Sequence, residues 1–219
     1  MLGSDMKRRT FMKLASVAVL LCAFPLAGCD QDQKEAASSE ALVVEPAFGE
    51  GFQTVMDAMR QEAPDAVLLA VRTSTVVEPE TRCSWSYLFG SEGEGCAYTA
   101  FTSEGKAYPA YLGVYEIDDE EWASIPPADE VGVDADQALS LALDAWGGEE
   151  AAENCYVYLL THIAENEDPS AGTMKWYVEI NMPDADGEAL AATDGESPSG
   201  SAEAAFSVDA RSGAVEKVK

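Results

Sequence analysis

Residues 174–180 read Met-Lys-Trp-Tyr-Val-Glu-Ile, and residues 83–89 read Cys-Ser-Trp-Ser-Tyr-Leu-Phe. In the later stretch Met174, Trp176, Val178 and Ile180 alternate with Lys175, Tyr177 and Glu179. In the earlier one Cys83, Trp85, Tyr87 and Phe89 alternate with Ser84, Ser86 and Leu88. An apolar period of two is the pattern of a half-buried antiparallel strand. Finding it twice, each time around a tryptophan, predicts an internal repeat.

The flanks repeat as well. Each tryptophan strand is preceded by an apolar run that reads as a strand, at 66–74 and at 155–163. Each run follows a helical pattern. Phe48, Phe52, Val55, Met56 and Met59 share one helix face, and Pro64 ends that helix. Ala138, Leu141, Ala142 and Ala145 share another. Asp134 with Gln137 three residues on reads as a capping pair, and Gly147-Gly148 as the stop. Each unit closes with a further strand and a glycine turn. Tyr98, Ala100 and Gly105 correspond to Phe206, Val208 and Gly213, 108 positions on. The tryptophans are only 91 apart, so the second hairpin carries an insertion, around 183–203. That stretch has no aromatic residue and reads as an exposed loop.

The expected fold is therefore α+β: two tandem α-β-β-β units, each a helix packed on an antiparallel meander. The first unit spans 46–126 and the second 127–219. Residues 108–133 join them, with a strand near 111–117, a short helix near 118–124 and the Pro126-Pro127 break. Trp85 and Trp176 are expected in equivalent core positions.

Upstream, 1–28 reads as a signal peptide and 29–45 as a flexible tether. Lys7, Arg8, Arg9 and Lys13 form a basic start, and an apolar run follows to Gly28. Leu26-Ala27-Gly28-Cys29 resembles the bacterial lipobox. That resemblance implies cleavage before Cys29, a diacylglycerol on its thiol, and anchorage at the extracytoplasmic face of the cell membrane. Arg8, Arg9, Phe11 and Lys13 also resemble a twin-arginine export signal, with Met12 a close substitute and Lys7 a departure. An ordinary Sec leader is the alternative route. Residues 30–45 are polar and free of aromatics.

The charge balance is extreme. The chain holds 13 basic and 40 acidic residues, a net of −27. The leader's four basic residues and Asp5 give +3, so the remainder carries −30. Such a surface repels nucleic acid and anionic lipid, and it favours cationic partners or plain solubility.

The second unit resembles a PepSY domain. The likeness rests on its spaced alanines, its Trp176–Ile180 strand and the closing Val208-Asp209-Ala210…Gly213…Val215. It extends more weakly to the first unit, where Phe101 stands in place of the aspartate. PepSY domains occur in peptidase propeptides and exported bacterial proteins, and they lack catalytic residues. The resemblance implies a binding module that binds or restrains a peptidase or another envelope protein. The alternative is a passive envelope accessory lipoprotein with no specific ligand site.

No residue pattern points to an enzyme, a cofactor or a metal. The one histidine, His162, lies in a strand pattern and cannot supply the ligands zinc takes. Cys83, Cys96 and Cys155 form no CxxC. In an oxidising compartment a Cys83–Cys96 bond is allowed. If Tyr87 faces Tyr98, however, Cys83 faces Thr102 and buried free thiols result. Asp184-Ala-Asp186-Gly187 fails as a calcium loop, because Met182 and Thr193 occupy the first and last ligand positions. Asp118-Asp119-Glu120-Glu121 reads as the acidic first turn of a short helix.

Overall fold

The computed structural model describes residues 42–80, 83–115, 119–147, 152–161, 173–182 and 202–219. Helix α1 (Glu50–Glu62) is followed by β1 (Val67–Thr73), β2 (Trp85–Ser91), β3 (Cys96–Ser103) and β4 (Lys106–Val114). Helix α2 (Asp119–Ser124) and a 3-10 turn (Ala128–Glu130) lead to α3 (Ala135–Trp146). Then come β5 (Cys155–Leu160), β6 (Lys175–Ile180), β7 (Ala204–Asp209) and β8 (Val215–Lys217). The class is α+β, as read from the sequence.

Two features differ from the expectation. Each long helix is followed by four strands, not three. The fourth strands lack an apolar alternation: β4 holds Pro109 and is exposed along most of its length, and β8 has three residues. The meanders are also not separate. All eight strands form one antiparallel sheet, ordered β4-β3-β2-β1-β5-β6-β7-β8. The join is β1 against β5, through Ala70↔Leu160, Val71↔Leu159 and Arg72↔Tyr158. Thr161 secures it: its hydroxyl is 2.7 Å from the Leu68 carbonyl oxygen and 2.9 Å from that of Leu69, where β1 bulges.

One hydrophobic core serves both halves. It takes Phe52, Val55 and Met59 from α1, Ala138, Leu139 and Ala142 from α3, and the inward residues of β1, β2, β5, β6 and β7. Trp85 and Trp176 are both buried, and their rings meet edge to face at 6.1 Å. Each indole N–H is donated to a carbonyl ahead of its own half's helix, Trp85 to Glu45 (3.1 Å) and Trp176 to Val133 (2.7 Å). A buried indole needs such a partner.

The packed chain begins earlier than the read tether end at 45. Leu42 and Val44 are buried and Val43 and Glu45 point out, an alternation too short to stand out beside the polar run. On the other side of the sheet α2 lays Trp122 over Gly90. A Cβ at Gly90 would come within 2.5 Å of that ring, which is why the position is glycine.

Asp134 joins the halves. It caps α3 and completes the expected box with Gln137. The same carboxylate accepts the N–H of Ala47 (2.8 Å) and of Phe48 (3.1 Å), on the segment entering α1.

The hairpin registers also correct the sequence reading. Tyr87 faces Ala100, not Tyr98, because residues 92–95 make a four-residue turn between Ser91 and Cys96. Trp85 then lies opposite the Thr102 row and Trp176 opposite Val208, an offset of 106 at the tryptophan row instead of 108. The difference sits in the last turns. Glu104-Gly105 is a two-residue turn with both residues at positive φ, whereas Asp209 holds a longer one.

Two aspartates hold turns. Asp65 accepts the Gly93 N–H and the Ser91 hydroxyl, both at 2.7 Å. Asp209 accepts the Ser212 hydroxyl and the Ser212 and Arg211 amides. The Gly93 amide draws the Asp65 carboxyl below its ordinary pKa, and the Ser212 hydroxyl does the same for Asp209. A depressed folded-state pKa adds stability above the unfolded value near 4, and that stability is lost as pH falls through the folded value. Asp65→Asn should therefore lower the urea midpoint at pH 7 and leave it near wild type at pH 2. Equal losses at both pH values would contradict this.

Candidate functional site

Among the described residues, six large hydrophobic side chains are exposed, and four of them lie on β3 and β4. Phe101 is 44% exposed, Tyr108 43%, Tyr111 62% and Val114 76%. Concentration at one corner is what separates an interaction surface from scattered apolar exposure. β4 is an edge strand, so nothing in the sheet covers its outer side.

The corner is built by register. Phe101 faces Tyr108 across the β3–β4 ladder, and their rings stack at 5.4 Å and 19°. Tyr98 faces Tyr111, and those rings meet edge to face at 5.9 Å. One pair lies on each side of the strand, because Tyr108 and Tyr111 fall on opposite faces across the three-residue step. The Tyr98 hydroxyl donates to the Glu94 carboxylate, which holds the phenol proton and raises the Tyr98 pKa. Pro109 lies between the two aromatic pairs and removes one N–H from the edge.

Above β4 runs α1. Between them is an open groove of about 560 Å³, lined by Asp57, Gln61 and Glu62 from the helix and Lys106, Ala107 and Pro109 from the strand. Arg60 pairs with Asp57 at 3.1 Å, with both side chains largely exposed.

A second cluster lies across β1, β5 and β6. Tyr158 faces Arg72 on one side and Tyr177 on the other, and the two tyrosine rings stack at 5.1 Å. Tyr158 donates to the buried Glu179 at 3.4 Å. Burial raises the Tyr156 phenol, which Arg72 partly offsets. Tyr156, Tyr158 and Glu179 are buried and Arg72 and Tyr177 half-buried, and a buried carboxylate needs such partners.

The thiols expected to be candidates for a bond are all free and buried. Cys96 faces Ser91 at one end of the β2–β3 ladder and Cys83 precedes the other end, so roughly 25 Å of strand separates them. Burial raises Cys83 and pushes Cys155 up to about 12. Arg8, Arg9, Phe11, Lys13, Leu26, Ala27, Gly28, Cys29, Asp118, His162, Asp184, Asp186 and Gly187 lie outside the described residues, as does 183–201 of the expected loop. Ala202, at the end of that stretch, is buried beside Tyr156, Tyr158 and Met182. Among the described residues no group of three or more His, Cys, Asp or Glu could hold a metal, and no helix is long and apolar enough to cross a membrane.

The aromatic corner was not read from the sequence. The strand expected near 111–117 starts earlier, at Lys106, so the pairing of Phe101 with Tyr108 was missed. No protein family, curated protein or solved structure matches the chain.

Proposed function

We propose that this chain is a lipid-anchored, extracytoplasmic binding module that engages a protein or peptide partner and performs no catalysis. The observation that carries the binding reading is the concentration of exposed aromatic side chains on the β3–β4 edge. Anchorage rests on the basic start, the apolar run and the Leu26-Ala27-Gly28-Cys29 motif. Counting from Cys29, 12 residues separate the anchor from Leu42.

The module is also read as two tandem units, each a long helix followed by four strands, whose sheets have merged. What supports this is the strand order, symmetrical about the β1–β5 pair, and the shared role of Trp85 and Trp176. The PepSY resemblance points to a peptidase or another envelope protein as the partner.

The test compares wild type with Cys29→Ala in cells, by lipid labelling, membrane fractionation and cross-linked co-purification. Wild type should be labelled, membrane-bound and recovered with a discrete partner. The variant should be unlabelled and unprocessed. A variant processed and retained like wild type would end the anchoring claim, and wild type recovered alone would end the binding claim.

A further inference from the structure

We infer that the β4 edge docks a cationic, extended segment of a partner protein, whose Lys or Arg side chains lie over the exposed rings of Phe101, Tyr108 and Tyr111. This rests on the binding-module reading and names the surface and the partner's chemistry. The rings supply faces on both sides of one strand. A guanidinium or ammonium over such a face is attracted by the ring quadrupole. The carboxylates come from three directions. Glu94 sits at the Tyr98–Tyr111 pair, Asp57 and Glu62 line the groove under α1, and Glu104 stands in the turn that leads from β3 into β4. Lys106 and Arg60 are the local cations, and Arg60 is paired with Asp57. The chain as a whole carries −27, so long-range attraction selects a basic partner as well.

A second copy of this chain is the wrong occupant. Two copies repel through that net charge. Pro109 also interrupts the row of N–H groups that edge-to-edge pairing would use. Docking therefore relies on side chains more than on a ninth strand.

The experiment titrates the full-length chain, in non-ionic detergent, with two synthetic peptides. One is a twelve-residue alternation of arginine and valine, and the other has glutamate in place of arginine. The arginine peptide should bind and the glutamate peptide should not. The combined Phe101→Ser, Tyr108→Ser and Tyr111→Ser variant should bind about tenfold more weakly, and added salt should weaken wild-type binding. All three positions are at least two-fifths exposed, so the variant should keep its far-UV spectrum and still unfold cooperatively in urea. Val218→Ser, an exposed change near the opposite edge, should bind as wild type does. Absent binding, equal binding of the acidic peptide, or an unchanged affinity in a folded triple variant each overturns the proposal. If the cellular partner still co-purifies with the triple variant, the module reading survives and only this surface falls.

Discussion

Asp134→Ala should lower the unfolding free energy by about 3 kcal/mol, far more than an ordinary helix cap. A lost aspartate cap costs about 1 kcal/mol. This carboxylate also accepts the Ala47 and Phe48 amides, in a partly buried site. Leaving such donors without an acceptor costs about 1–3 kcal/mol in all when water reaches part of the site. Gln137→Ala is the control. It removes only the reciprocal bond to the Asp134 N–H, 3.3 Å long and exposed, and should cost a few tenths of a kcal/mol. Urea denaturation of both variants decides the matter. If Asp134→Ala costs no more than Gln137→Ala, the carboxylate does not join the two halves.

That contrast also marks what was legible in the sequence. Asp134, Gln137 and Gly147 announced the ends of α3 because caps are local chemistry within one turn. The tryptophan strands were legible because period two is local too. Asp134's second role was hidden, since its partners Ala47 and Phe48 are more than 80 residues away. The β1–β5 join was hidden for the same reason. Its only trace was that both strands are apolar on nearly every residue, as central strands covered on both faces are. The two-residue register error had a specific cause. Pairing Tyr87 with Tyr98 assumed a tighter turn than the one Asp65 holds at 92–95, and Asp65 lies on neither strand. For the functional surface, export and lipid signals are linear motifs and need no fold to be read. The aromatic corner needs the fold, because Phe101 and Tyr108 become neighbours only through the Glu104-Gly105 turn.

Trp176→Ala should be the most damaging single change, at about 3–5 kcal/mol. The ring is fully buried, packs on Phe48 at 6.2 Å and on Trp85 at 6.1 Å, and donates to Val133. Truncation leaves a cavity against Phe48 and Trp85 and an unsatisfied carbonyl beside Asp134. Since a domain of this size is stable by about 5–15 kcal/mol, the alanine variant sits near the threshold of folding. The sharper measurement therefore uses Trp85→Leu and Trp176→Leu, singly and together, since leucine fills much of the space without an aromatic ring. In two separate cores the losses would add, as they do for distant sites. In one core they should not, because the second substitution removes a ring contact the first has already broken. The expected coupling is about 1 kcal/mol, the size of an edge-to-face aromatic pair. Additive losses in urea denaturation would mean that the merged sheet still behaves as two cores. The contact between the two tryptophans would then be proximity without energetic consequence.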